Sequence, residues 1–532
     1  VDSRLDTAKS PKMHEKAPVI EITHCNSDDA EPSPGTTPSS PPLRLKVIST
    51  LLVCLMGFGT YYNQGVLGAV KTPLKKVWQL YIPVEQLLIA ADQALDINNT
   101  QFSLIASTQD LLITLLIVFG GLITDRIGGA GGVIVGSAVG VTGSIIVASA
   151  VQVRSYKLMV FGSGVLALGN IFNATARYRL FSSWFPPSHG FALTLSLELA
   201  AAKIGLLVSK ATANVIAEGA GDIAWTFWVA MFADMFVFMV AILVLFFVRS
   251  CRKKYSVFHD PSTGEQLLER TNRFEAKRIT ELPWPFWCIV VYHVFETTNH
   301  LTFTQNATEL AEKRFHVSSK TAGWISGVVM GGNFFLLPLF GYFMDVVGHR
   351  LSVMCGLGTG MTIAMAVLRW APGVTGTAVS FGIISVCVSS TFLVAYDGVR
   401  TSLWHQEIYG TANSIKVATG YAVNLIVRVV IGVIQDRDDG GYQGVILVYL
   451  ALGIGAALTA GAMIVGAQTT VDLGRFQWSK KKRAARGEEI AARTKLLDEQ
   501  LAIRKNRLSV AACGAVCVVV CGAVASYIYA CL

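Results

Sequence analysis

The sequence predicts an all-α polytopic membrane protein, built as two six-helix halves followed by one further spanning helix. Three observations carry that expectation. Hydrophobic residues make up 52% of the 532 positions and charged residues only 15%, with a mean hydropathy of +0.51, far from the balance of a soluble domain. Apolar runs of about 20 residues, the length that crosses the hydrocarbon of a bilayer, follow one another along most of the chain. The chain also repeats itself. The segment Gly121-Leu122-Ile123-Thr124-Asp125-Arg126-Ile127-Gly128 returns 220 positions later as Gly341-Tyr342-Phe343-Met344-Asp345-Val346-Val347-Gly348, followed by His349 and Arg350. At the same spacing His189-Gly190-Phe191-Ala192 returns as Tyr409-Gly410-Thr411-Ala412.

Taken in order, residues 1–43 are rich in Ser, Pro, Asp and Glu and lack an apolar leader, so a disordered cytoplasmic tail is expected. The first half, 46–248, divides into spans near 46–70, 102–124, 131–152, 157–179, 190–214 and 223–248. A polar cytoplasmic linker follows at 249–282. The second half, 284–467, divides into spans near 284–304, 319–344, 351–371, 375–399, 410–435 and 442–467. The loop from Lys71 to Gln101 has no counterpart there, which is why the repeat is in register only from the second span onward. Residues 470–507 form a basic cytoplasmic segment expected to be helical, and 508–532 a thirteenth span. Its Cys513, Cys517 and Cys521 recur every four residues and give one small face, suited either to packing on another helix or to idling in lipid.

The net charge of +9 does not point to nucleic acid, because Lys and Arg fall between apolar runs rather than on one face. Those positions, among them Arg44, Lys46, Arg252 to Lys254 and Lys480 to Lys482, put the N-terminus in the cytoplasm. Two sequons, at Asn98 and Asn306, then fall in loops on the opposite side and are expected to carry glycans. A third, at Asn173, lies inside a span and should be unused. The ten cysteines show no CxxC or zinc spacing, so neither a disulfide scaffold nor a metal cofactor is expected. With no nucleophile–base pair or cofactor fingerprint, an enzyme is not expected either.

A charge near the bilayer midplane costs roughly 2.5 to 3.5 kcal/mol on insertion scales, so it must face protein or water. On that ground the polar residues inside spans are the site candidates. His293, Glu296 and His300 sit at i, i+3 and i+7 of the seventh span and share a face. They fit a substrate-contacting or titratable stripe, interhelical packing, or a metal site; the last lacks a partner cluster. Tyr421, Asn424 and Arg428 repeat the spacing in the eleventh span. Lys203 lies in the middle of the fifth, with Glu198 about 140 degrees away around the helix. Asp110 in the second span, Asn170 and Asn173 in the fourth, and the cluster Tyr61-Tyr62-Asn63-Gln64 in the first complete the set. Lys203 and Arg428 as cations and Glu296 as anion would suit a zwitterion or a small anion.

The twice-repeated G-x-x-x-D-x-x-G hairpin, between membrane-length helices in matching places, resembles the loop signature of the major facilitator superfamily. The resemblance implies a twelve-span fold that works by alternating access, with Gly121, Asp125, Arg126, Gly128, Gly341, Asp345, Gly348 and Arg350 as conformational gating residues. By pseudo-symmetry Asp125 should sit at the start of the eleventh helix and Asp345 at the start of the fifth. The stretch from Phe161 to Gly205, with Leu168-Gly169, Ser183-Trp184-Phe185 and Ala202-Lys203-Ile204-Gly205, is similar to the lysosomal dipeptide transporters of the superfamily. That similarity implies a peptide-binding role for Lys203, where the family usually has arginine, a point charge replacing a bidentate fork. The family's acidic residue in the fourth span maps onto Ile171, and an arginine common early in that span onto Ser163. Proton coupling, if present, would therefore run through His293 or Glu296. The resemblance further implies a lysosomal or vacuolar membrane, with the plasma membrane as the alternative, and an accessory membrane glycoprotein as partner. The function expected is transport of a small polar solute, a dipeptide, an amino acid or another small zwitterion or anion, as uniporter or with protons. A non-transporting receptor or accessory protein on the same fold is the alternative.

Overall fold

A computed structural model describes residues 43–74, 99–184, 191–254, 282–331, 334–404, 408–438, 441–486 and 507–531, with single positions 489, 492 and 496. The tail expected over 1–43, apart from Leu43, and most of the linker lie outside the described residues, as does Asn98. Among the described residues there is no strand. The first six spanning helices are Leu43–Ala69, Asn99–Ile127, Gly129–Gln152, Tyr156–Trp184, Phe191–Ala220 and Ala224–Lys254. The seventh is Trp284–Phe315; the eighth is described in two pieces, Ser319–Gly331 and Leu336–Val346. Arg350–Trp370, Val374–Ser402, Tyr409–Arg437, Gln443–Thr469 and Arg507–Cys531 complete the series as the ninth to thirteenth.

Eleven of these spans are long and apolar enough to cross a membrane by length and composition alone; the first and seventh are not among them. The seventh falls short because Asn299, Thr302, Thr304, Asn306, Thr308 and Glu309 interrupt it, and all six are buried. The cost of those groups in hydrocarbon is avoided by position. This helix packs against the first, eighth, tenth, eleventh and twelfth spans, so its polar face meets protein. Pro285 in its first turn occupies a place where a missing N–H costs nothing.

The seventh helix also continues past the expected end near 304, which corrects one expectation. Asn306 lies inside the helix and is 4% exposed. Its Oδ1 accepts from Lys71 Nζ at 2.8 Å and its Nδ2 donates to Tyr449 Oη at 3.0 Å. A glycan cannot be accommodated on that amide in this fold. An apolar-run ruler ended the span too early, because burial against other helices lets a span carry polar residues.

The halves meet where the first helix packs on the seventh, the second on the eleventh, and the fifth on the tenth and the eighth. The last is set by a run of glycines at every fourth position. A Cβ on Gly323 would lie 2.6 Å from the Lys210 carbonyl oxygen, one on Gly327 3.2 Å from that of Leu207, and one on Gly331 2.6 Å from that of Lys203. Small residues at this spacing let backbones approach closely, and here they seat the turn that carries Lys203 directly on the other half. The sequence repeat is visible in the backbone too: Gly128 (φ 90°) and Gly348 (φ 83°), 220 positions apart, both take the positive-φ conformation that favours glycine. At Gly348 a Cβ would also collide with the Trp478 carbonyl.

The thirteenth helix lies against the second and eleventh and so bridges the seam between the halves. Its Ser509 Oγ donates to the Leu282 carbonyl at 2.6 Å and accepts from Trp287 Nε1 at 3.1 Å, and its Tyr527 hydroxyl shares a 2.8 Å hydrogen bond with Thr108. Its packing residues include Ser509, Ala512, Cys513, Val516, Val519 and Ala523. The cysteine stripe is divided, since Cys513 packs on the core while Cys517 and Cys521 are exposed.

Candidate functional site

On the seventh helix His293, Glu296 and His300 are all at most 3% exposed. Glu296 Oε1 accepts from the Thr391 hydroxyl of the tenth helix at 2.9 Å, while Oε2 has no hydrogen-bond partner. The His300 ring stands edge-on to Phe392, also on the tenth helix, at 5.0 Å between centroids, and its Nδ1 is without a partner. His293 Nδ1 is engaged by the Thr297 hydroxyl at 2.8 Å. The three side chains therefore reach three different neighbours. Among the described residues no His, Cys, Asp and Glu cluster could hold a metal ion.

Lys203 approaches the same place from the first half. It is 3% exposed, its Nζ lies 5.9 Å from the Phe392 centroid and makes no hydrogen bond, and it is within electrostatic reach of His300. Glu198 faces elsewhere, as its rotation on the helix predicts. It forms a buried ion pair with Arg177 of the fourth helix at 3.0 Å, and Gly57 of the first helix packs over that pair.

A second lysine, not singled out in the sequence, completes the stripe. Lys416 on the eleventh helix is fully buried, with Nζ 3.7 Å above the Tyr396 ring, no hydrogen-bond partner, and His293 within electrostatic reach. The rule that singled out Lys203, a charge inside an apolar run, applies equally here. Lys416 lies only seven residues into the eleventh helix, a depth from which a lysine stem can ordinarily reach water. Thr391, Phe392 and Tyr396 could not have been found this way, since hydroxyls and rings are unremarkable in a span.

Arg428 and Asn424 belong to a different cluster. Arg428 Nε pairs with Asp110 Oδ2 of the second helix at 2.7 Å, Asn424 Nδ2 donates to the same oxygen at 2.7 Å, and an Arg428 terminal nitrogen donates to Gln305. Tyr421, half-buried, lies within electrostatic reach of Asp110 and Arg428. The expected convergence of Lys203, Arg428 and Glu296 is thus corrected. Arg428 has its counterion on the facing helix, at the second–eleventh seam. Asn170 is also apart, accepting a long 3.4 Å hydrogen bond from Thr60.

At one end of the bundle, near Ala69 and Gln435, Lys71 is enclosed. Its ammonium meets Glu309 at 2.7 Å, Asn306 at 2.8 Å and Gln435 at 3.1 Å, and Tyr442 donates to Glu309 at 2.8 Å. Close by, Asp436 accepts from the Asn99 and Thr100 amides at 2.9 and 3.0 Å and caps the second helix at its positive end. At the opposite end Asp345 accepts from the Leu193 N–H at 3.2 Å, in the first turn of the fifth helix, where the pseudo-symmetry predicts it. Arg350 pairs with Asp397, and Gly341 is buried beneath the hairpin. The surroundings of Gly121 and the side chains of Asp125 and Arg126 lie outside those described.

Comparison with known proteins agrees with this architecture. Residues 53–415 match the sequence profile of the Major Facilitator Superfamily, with an overlapping match over 298–530. The chain is 23% identical over 430 residues to a protein of Pongo abelii named lysosomal dipeptide transporter MFSD1, covering 76% of this chain and 84% of that one. The proteins of the same name from Homo sapiens (23% over 359 residues, 64% and 72% covered) and Bos taurus (24% over 340 residues, 62% and 67% covered) are similar to it as well. With a profile that spans most of its length and a backbone that repeats where the sequence does, the chain belongs to the Major Facilitator Superfamily.

Proposed function

We propose that the chain carries a small zwitterion, a dipeptide or an amino acid, across a membrane by alternating access of its two halves. The observation that carries this reading is the set of buried polar atoms left without partners between the halves: Lys203 Nζ, Glu296 Oε2 and His300 Nδ1. A buried charge without a partner costs several kcal/mol, and a solute offering a carboxylate to the lysine and an amine to the glutamate would offset it. The dipeptide is the first solute to test because relatives are named for it. The same names support a lysosomal membrane.

Lys203 and Glu296 are the substrate contacts in this reading, His293 and His300 line the same stripe, and Arg428, Asn424 and Asp110 hold the second helix to the eleventh. Asp345 at the start of the fifth helix serves as a gating contact, because the carboxylate favours the positive end of the helix dipole. Charge positions in the sequence support a cytoplasmic N-terminus, and Asn98 remains the glycosylation candidate. Uniport and proton coupling through Glu296 both fit this site.

Uptake of a labelled dipeptide into proteoliposomes tests the proposal. Accumulation by the wild type, with apparent affinity weakened about thirtyfold in Lys203→Ala, is expected, since loss of one partner of a buried pair is worth about 2 kcal/mol or more. Binding without uptake would favour a receptor on the same fold.

A further inference from the structure

We propose that the site selects solutes carrying one ammonium and two carboxylates, such as a dipeptide with an acidic residue. The inference rests on the transport reading for its location and goes beyond it in substrate class. Phe392 and Tyr396 are one turn apart on the tenth helix, so the two rings beside these lysines stand on one helix face at successive levels. Lys203 is beside Phe392 and Lys416 beside Tyr396. Thr391, next to Phe392, holds one oxygen of Glu296 and leaves the other open.

The stripe thus holds two lysines without a hydrogen-bond partner and one carboxylate with a free oxygen. Elsewhere in the bundle Lys71 has Glu309, Arg177 has Glu198, Arg350 has Asp397 and Arg428 has Asp110. Lys210, one further lysine of the fifth helix, is satisfied by the Thr304 carbonyl at 3.0 Å and the Thr308 hydroxyl at 3.3 Å. The ring under Lys416 compensates its charge on one side, but an ammonium has three donors and none of them is used. A neutral zwitterion would pair one lysine and Glu296 and leave the second lysine bare. A solute with a second carboxylate pairs all three.

The test uses the purified full chain, with binding read by thermal shift and flux by proteoliposome uptake. The probes are Ala-Ala, Ala-Glu, Ala-Lys and free glutamate. Ala-Glu is expected to bind about tenfold or more tightly than Ala-Ala, and Ala-Lys more weakly than both. Comparing Ala-Glu with glutamate separates a peptide site from an amino-acid site of the same charge pattern. In Lys416→Met, with melting temperature checked in the absence of solute, the ratio of Ala-Glu to Ala-Ala affinity should fall to about one, and Lys416→Arg should restore most of it. Equal affinity for Ala-Ala and Ala-Glu in the wild type, or a ratio unmoved by Lys416→Met, overturns the proposal. Preferential binding of Ala-Glu with no uptake of any probe would overturn the transport reading and leave the charge selectivity standing.

Discussion

Two clusters of buried charge sit on the seventh helix and differ in one respect. Around Glu309 each charged group has met its complement: Lys71, Gln435 and Tyr442 converge from three other segments of the chain. Around Glu296, about three and a half turns toward the helix start, the charges are equally buried but Lys203, Lys416 and one glutamate oxygen have no hydrogen-bond partner. Desolvation disfavours both clusters alike. Only the first is repaid by the protein itself, so the first reads as a fastening between halves, and the second is where the proposed solute would bind.

Removing a partner should therefore do opposite things in the two places. Lys71→Met leaves Glu309 with Tyr442 and the half-exposed Lys313 at 3.3 Å, and is expected to destabilise the folded protein by about 3 kcal/mol, the lower end for breaking a buried pair. Thermal unfolding in detergent measures it. Adding Glu309→Gln in the same chain should recover part of the loss, since the uncompensated charge goes with it. Equal stability of wild type and Lys71→Met would break the comparison.

At the second–eleventh seam, Asp110→Asn keeps the shape but removes the charge that Arg428 and Asn424 address. Because Arg428 retains Gln305, the expected loss is smaller, about 2 kcal/mol. Lys203→Met sharpens the contrast most. Replacing an unpaired buried ion by an apolar side chain of similar length should leave stability unchanged or raise it by about 1 kcal/mol, while solute affinity falls. A melting temperature lowered as far as in Lys71→Met would mean that Lys203 has a structural partner after all.

The architecture was legible in the sequence because its signals are independent of packing: apolar length, a repeat that preserves glycines at positive φ, and charges between spans. Asp345 could be placed at the fifth helix from the repeat alone. The candidate site was half legible. A charge inside an apolar run announces itself, so Lys203 and Glu296 stood out as candidates, but whether such a charge is paired depends on helices far away in sequence. Arg428 looked like a free cation until Asp110, on the second helix, was seen against it. Lys416 was missed for the converse reason, since depth in the bundle is not readable from position along a helix. Asn306 misled because a sequon is a local pattern and burial is not.

The smallest effect is expected where a partner is lost but nothing is left exposed to its absence. Tyr527 of the thirteenth helix shares a 2.8 Å hydrogen bond with the Thr108 hydroxyl, and that hydroxyl also reaches the Leu104 carbonyl at 2.8 Å. In Tyr527→Phe, Thr108 can donate to its own helix, and the phenyl ring keeps its packing against the cluster of Ala422, Leu425, Val429 and Ala523. Interhelical hydrogen bonds in membrane proteins average about 0.6 kcal/mol in double-mutant cycles, and a cycle of Tyr527→Phe with Thr108→Val should return a coupling of that order. The charged clusters should exceed it several-fold. A coupling as large as the effect of Lys71→Met would show that the thirteenth helix, not the buried ion pairs, is what fastens the two halves at their seam.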